Sequence, residues 1–367
     1  MLRRDTNYFR NPEHPRRGFS VLRKQFPQVT RYGSGGKVDN LDVKVLRLLI
    51  QGAATSPLDP DFRKSYRIIA KAAGVDEGTV RYRVRRFRET GFFREWRCCV
   101  NPLLLRAGAA IAIFDVPDSI PKDELMEELQ LVPGVYYIAR HFGNMVAVVM
   151  LYQEKRSLER RVELIRRMAK VKTLTLAKVA FPESDSILSR SDWMLICSLF
   201  ENPRKPCGLL SREIGLSSRT VGSKLRRLSD DGVLFALPAL NPKALRGAIM
   251  SILLVTYPSN RKEELDRKIA PLLEPYLWQV FHMLPFEPSD AVHCIFNVML
   301  PNVSVAQEVL RWILKLEGVT AARVELIEEV ITIYEPFVEL VAPHAGAQRG
   351  GNWGSGPRRR APHTARH

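Results

Sequence analysis

The chain of 367 residues is 46% hydrophobic and 26% charged, and 56 Lys and Arg against 39 Asp and Glu leave a formal net charge of +17. That length and apolar content suit two to four folded domains and exclude a wholly disordered chain, while the charge favours a polyanionic partner. No apolar run reaches the roughly 18 residues of a membrane span, and the five cysteines, Cys98, Cys99, Cys197, Cys207 and Cys294, include no CxxC spacing of the kind that frames zinc.

Residues 1–38 are rich in Arg, Pro and Gly, lack periodicity and read as a disordered basic arm. The opening MLRRDTNYFRNPEHPRRG is too polar for a signal peptide, so a cytoplasmic, nucleoid-associated location is expected. A first helix is predicted over 42–51, behind Asp39 or Asn40 as cap, and the Pro- and Asp-bearing insertion over 53–65 reads as loop. A second helix over 66–73 ends at Gly74, where a left-handed residue is needed. A third starts at the cap residue Asp76 and closes at Gly91. On it Val80, Val84 and Phe87 fall at i, i+4 and i+7, an apolar stripe, and Thr79, Tyr82, Arg85 and Arg86 lie on the other side. Two short strands are expected next as a wing, with Arg94 and Arg97.

A βαββαβ pattern follows over 103–183, with strands AAIAIFDV, VYYIARHF, MVAVVMLY and VKTLTLAKVAF and helices over 122–131 and 156–170. β-Branched strands with two amphipathic helices predict a ferredoxin-like layer, one antiparallel sheet with helices on one face. Its other face is apolar and needs a cover.

The chain then repeats itself. GVDEGTVRYRVRRFRETGFF at Gly74 returns as GLSSRTVGSKLRRLSDDGVL at Gly215, and NPLLLRAG at Asn101 as NPKALRG at Asn241. A fixed repeat of this length predicts a duplicated domain unit. The second copy has helices over 193–201 and 208–214 and a third between Ser217 and Gly232, with Val221, Leu225 and Leu228 inward. A second βαββαβ pattern ends at ARVELIEEVITIY. The expected fold is α+β: winged helix-turn-helix domains over 39–102 and 189–242 alternate with ferredoxin-like domains over 103–183 and 243–340. A disordered Arg-rich tail occupies 341–367. The second sheet is the natural cover for the first.

An α-helix fits the major groove, where Arg makes paired hydrogen bonds to a guanine edge. A recognition helix reads bases with its N-terminal half and holds phosphates near its ends. Thr79 and Tyr82 are therefore expected near bases, Arg85 at base or phosphate, and Arg81, Arg86 and Arg88 at phosphate, with Arg94 and Arg97 added by the wing. The second copy offers Arg219, Thr220, Ser223, Arg226 and Arg227, followed by Asp230 and Asp231, and is less basic. Double-stranded DNA is the expected partner, with no membrane and no cofactor.

The run RIIAKAAGVDEGTVRYRVRRFRETGFF, the NPLLL segment and the βαββαβ module resemble the Lrp/AsnC family of feast/famine regulators, and LLSREIGLSSRTVGSKLRRLSDDGVL with NPKAL repeats the match. The resemblance covers roughly residues 40–338 as two copies. Family members dimerise through their effector-domain sheets, so it implies a covalent pseudo-dimer that presents two recognition helices to one asymmetric site. It also implies a small-molecule effector near a Gly-x-x-Asp turn. Here that turn keeps Gly143 and Asn144 without the acid, and the second copy supplies Asp290, so these three are the candidate effector residues. The alternative is enzymatic. His141 and His282 recur at the same place in the repeat, and siroheme decarboxylases share a related architecture, so the pair could bind tetrapyrrole iron. The plainer reading is strand-end histidines, no metal and no enzyme.

Overall fold

The computed structural model describes residues 38–50 and 64–344. The predicted N-terminal arm and the insertion over 53–65 lie outside these residues except at their edges, as does most of the predicted C-terminal tail.

The described residues begin with three helices, α1 (Asn40–Ile50), α2 (Tyr66–Ala73) and α3 (Glu77–Glu89). Their boundaries follow from side-chain chemistry. The Ser65 hydroxyl accepts from the N–H of Ile68 at the start of α2, and Gly74, at φ 77°, ends it with its N–H on the carbonyls of Ala70 and Lys71. Asp76 accepts from the N–H of Thr79 to start α3. A second triplet comprises α6 (Arg190–Glu201), α7 (Cys207–Ile214) and α8 (Ser218–Asp230). Ser189 and Asp192 form a reciprocal capping box on α6, and Ser217 caps α8. The predicted stripes Val80, Val84, Phe87 and Val221, Leu225, Leu228 are buried in one large core.

The expected wing hairpins do not form. One strand follows each triplet, β1 (Phe93–Val100) and β6 (Leu234–Leu240), and the two pair with each other antiparallel, Phe93 opposite Leu240 and Val100 opposite Leu234. Each strand runs straight into an Asn-Pro turn, which leaves no second strand to fold back on it. The turns brace the ribbon reciprocally: the N–H of Asn101 donates to the Val233 carbonyl and that of Asn241 to the Phe92 carbonyl, both at 2.8 Å. Pro238 is tolerated in β6 because a two-stranded ribbon has an outer edge that needs no donor.

The remaining strands close into one eight-stranded barrel. Its first four are β2 (Gly108–Asp115), β3 (Val135–His141), β4 (Met145–Tyr152) and β5 (Thr175–Val179), with helices α4 (Lys122–Gln130) and α5 (Lys155–Ala169). The other four are β7 (Ile249–Pro258), β8 (Leu277–Leu284), β9 (Ala291–Leu300) and β10 (Ala321–Thr332), with α9 (Lys262–Leu272) and α10 (Val303–Leu314). The order is β10-β3-β4-β2-β5-β8-β9-β7, closed by β7 on β10 and antiparallel throughout. Within each set the second, third, first and fourth strands are neighbours, as in a ferredoxin-like sheet. The apolar faces do cover each other, but the sheets are also stitched edge to edge. β10 gives Ala321–Leu326 to β7 and Ile327–Thr332 to β3, with a bulge between Ile327 and Glu329, while β5 meets β8 at Lys178 and Val179. Closure satisfies edges that would otherwise present unpaired backbone groups. Helices α4 and α5 cover the outer face of one set and α9 and α10 that of the other.

A last helix, α11 (Glu335–Val341), begins where the sequence suggested the end of a domain. Phe337 packs edge-on against Tyr136 at 5.0 Å, Val341 is fully buried and His344 stacks on Trp193 at 4.8 Å, so residues 341–344 belong to the folded body rather than to the tail. Among the described residues no helix is long and apolar enough to cross a membrane.

Candidate nucleic-acid interface

Burial of the Val80, Val84 and Phe87 stripe turns the opposite face of α3 outward. Tyr82 is 54% exposed, and the Arg85 side chain is 67% exposed with its guanidinium 5.9 Å from the Tyr82 ring and 3.7 Å from Glu89. Arg81 is exposed, held 3.0 Å from Glu77 and over the Tyr66 ring. Arg88 and Arg94 are exposed too, Arg88 over the Phe93 ring. On α8 the exposed set is Arg219, Thr220, Ser223, Arg226 and Arg227.

Three of the expected DNA contacts are engaged elsewhere. Arg86 is only 19% exposed and donates to Asp42, a fully buried carboxylate at the start of α1. Arg227 does the same in the second triplet, 2.7 Å from the buried Asp192. A helical wheel for α3 or α8 alone places both arginines outward; the packing of α1 and α6 supplies an acid on that side. Sequence reasoning missed their companions as well. Arg83 lies 2.6 Å from Asp42 and 2.7 Å from Asp39, and Lys224 lies 2.9 Å from Asp192. The signal was an acid at the capping position of each first helix, with cations on the face of α3 and α8 turned towards it. Burial opposes ionisation of Asp192, but hydrogen bonds from Ser189, Lys224 and Arg227 outweigh it and hold the carboxyl well below the usual carboxylate range. Arg97 is the third: it pairs with Glu95 and lies over the Tyr334 ring at 5.3 Å, drawn into the junction of β1 with α11. The threonines are half-committed. Thr79 donates its hydroxyl to Asp76, and the Thr220 hydroxyl lies 2.8 Å from that of Ser217, so both complete N-caps.

The effector candidates are not brought together. Gly143, at φ 93°, and Asn144 form the exposed turn between β3 and β4, whereas Asp290 sits in the loop between β8 and β9. The Lys122 ammonium fills the first turn, donating to the carbonyls of His141 at 2.9 Å and of Gly143, and Asn144 bonds Asp118 at 2.8 Å.

The two histidines do not form a pair. β3 carries a bulge at Val135/Tyr137 and β8 one at Leu277/Gln279. Counted from these bulges, the counterpart of His141 is Met283 and that of His282 is Arg140, a one-residue slip that exchanges sheet faces. His141 points inward opposite Ile327, buried, with both ring nitrogens unpartnered among the described residues, and burial, with Lys122 nearby, pushes its pKa down to about 3. His282 points outward to α9, its Nδ1 3.0 Å from Lys262 Nζ and 3.5 Å from both Asp266 and Cys294. Asp266, His282 and Cys294 offer metal-ligand atoms within 4.8 Å of one another. Lys262, also 2.6 Å from Asp266, supplies the cation there itself.

A family model described as winged helix-turn-helix DNA-binding matches residues 188–234. The HTH-type transcriptional regulator Ptr1 of Methanocaldococcus jannaschii is 29% identical over 113 residues, 30% of this chain and 69% of that protein. The regulatory protein AsnC of Escherichia coli K12 is 29% identical over 119 residues, 30% of this chain and 70% of that protein. Among solved structures, the siroheme decarboxylase NirDL aligns with a TM-score of 0.48 and 16% identity, over 83% of this chain and 98% of that one. Residues 188–234 thus match a winged helix-turn-helix model through their helices, although no wing hairpin follows them, and the chain's homologues over 30% of its length are HTH-type transcriptional regulators, AsnC among them.

Proposed function

We propose that this chain is a sequence-specific, double-stranded-DNA-binding transcription regulator of the Lrp/AsnC type, a covalent pseudo-dimer that presents α3 and α8 to one duplex. The observation that carries the reading is the outward placement of Tyr82 and Arg85 on one capped helix and of Ser223 and Arg226 on another, with both helices anchored to the same β1–β6 ribbon. The pseudo-dimer is supported by the shared order of elements over 40–179 and 190–332 and by the reciprocal Asn101 and Asn241 hydrogen bonds. In this reading the domains run over 39–102, 103–183, 189–242 and 243–340. The contact set narrows to Arg81, Tyr82, Arg85, Arg88 and Arg94 on the first unit and Arg219, Ser223 and Arg226 on the second. Thr79 and Thr220 act through their caps, presenting helix N-termini to phosphate. The first unit is the more basic, so the preferred site is asymmetric. Such a regulator works in the compartment that holds the chromosome.

The test is a mobility shift on genomic fragments across a salt series. Each phosphate contact releases counterions, so affinity should fall steeply and log-linearly with salt. Arg88→Ala should lower the slope by about 1 without changing sequence preference. Salt-independent retention, or no retained fragment, defeats the reading.

A further inference from the structure

The inner faces of the barrel enclose an apolar cavity of about 90 Å³. Both sheets build its wall, with Ile111, Ile252, Ile295 and Ile327 among the contributors, and Pro238 and Leu240 reach it from β6. Polar side chains interrupt this wall, His282 and Thr332 among them, and four others are deeply buried. His141, Trp278, Gln279 and Asn297 are each more than nine-tenths buried. Trp278 Nε1, Gln279 Nε2, Asn297 Nδ2 and both ring nitrogens of His141 have no hydrogen-bond partner among the described residues. Gln279 and Asn297 stand directly opposite each other on β8 and β9, so their amides share one patch of the wall. A buried donor left unmatched costs about 1–3 kcal/mol, and native proteins keep few of them. Several converging on one void are better explained as a recognition surface than as packing error.

We propose that the barrel cavity is a binding site for a small, neutral compound of a few heavy atoms bearing a carbonyl acceptor. The indole and the two amides supply N–H donors, so the complementary group is an acceptor. The surrounding wall is aliphatic and aromatic, so the rest of the molecule is apolar. Among the described residues no Lys, Arg, Asp or Glu lines the cavity, so an ionised ligand would lose its hydration with no counter-charge to replace it. Burial, with Lys122 and Arg323 nearby, also keeps His141 uncharged. The volume is below the about 150 Å³ of a cavity that takes benzene, so the occupant is smaller than a ring, a molecule of a few heavy atoms. The site is distinct from the exposed turns of Gly143 and Asp290. Through Pro238 and Leu240 its wall is continuous with the ribbon that follows α8, which gives an occupant a route to the helix triplets.

The experiment uses the full chain with acetone as probe and isobutene and acetate as comparators, and its readouts need no DNA. Acetone should shift the Trp278 indole and the Gln279 and Asn297 side-chain amide resonances saturably and raise the melting temperature. Isobutene should bind at least several-fold more weakly, and acetate should leave the resonances unmoved. The double variant Gln279→Leu/Asn297→Leu should erase the preference for acetone over isobutene, and Ala147→Met, which fills the void, should abolish both responses. If the double variant fails to fold, Asn297→Leu alone carries the same test. Overturning results are no saturable shift at millimolar acetone, an unchanged preference in the leucine variants, or bound waters that acetone does not displace.

Discussion

Arg85 and Arg86 are neighbours with opposite surroundings, and replacing each by alanine separates reading from folding. Arg86 donates to Asp42 Oδ2, which also accepts from the N–H of Asp39 at 2.9 Å, while Asp42 Oδ1 is 2.6 Å from Arg83. Arg86→Ala therefore removes one cation but leaves Asp42 a second cation and a backbone donor. The cost is that of a largely buried charge-assisted hydrogen bond, about 1.5–3 kcal/mol. That is less than the roughly 3–5 kcal/mol lost when a buried ion is stripped of its only partner. Arg85 is two-thirds exposed and its polar and ring contacts among the described residues are with Glu89 and the Tyr82 ring, so Arg85→Ala should change stability by no more than about 0.5 kcal/mol. If Arg85 reads a base, the same change should weaken duplex binding by about 1–3 kcal/mol. Urea unfolding gives the first quantity. Fluorescence anisotropy on a labelled duplex, with both variants fully folded, gives the second. Arg86→Ala that unfolds like the parent but loses DNA affinity, or Arg85→Ala that is destabilised and binds normally, would refute this division of roles.

His141 makes stability depend on pH. Its folded value of about 3 lies below the unfolded value of about 6.5, so the unfolded chain takes up this proton first. The contribution is complete above about pH 6.5 and declines as the pH falls towards 3, by at most about 1.4 kcal/mol per pH unit; His141→Phe should flatten that slope in urea titrations at neutral and mildly acidic pH. Gly74→Ala should cost about 1–2 kcal/mol, because the position is left-handed at φ 77° while open space surrounds an added Cβ; a neutral change in midpoint would mean the turn relaxes. Asn101→Ala should cost about 2–3 kcal/mol. The fully buried amide donates to the carbonyls of Pro182 at 2.8 Å and Gly232 at 3.0 Å, and both would lose a donor. Equilibrium unfolding measures this, and a loss below about 0.5 kcal/mol would show that water replaces the amide.

Local chemistry was readable. The caps Asp76 and Ser217, the stops at Gly74 and Gly215 and the apolar stripes of α3 and α8 each depend on residues a few positions apart, and all are in place. Pairing at long range was not readable. Alternation in FREWRCCV or VELIEEVIT says that a face is buried, but not that β1 takes its partner from β6 or that β10 divides itself between β7 and β3. The candidate interface failed at the same boundary: the outward side of α3 followed from its own periodicity, whereas the fates of Arg86 and Arg227 depended on Asp42 and Asp192 in other helices. His141 and His282 matched in sequence spacing but not in space, because the bulges that set strand register leave no mark in hydrophobic pattern. The helix α11 was missed because its Pro336 and proximity to a Gly-rich end resemble a terminus, and its anchors Tyr136 and Phe235 lie far away in the chain.

A barrel whose every rung is supplied by one polypeptide does not obey mass action. Where two molecules must meet to complete such a ring, dilution takes the ring apart and with it the spacing of whatever it carries. Here β5 to β8 and β10 to β3 are intramolecular seams, so that spacing is the same at one copy per cell as at a thousandfold excess.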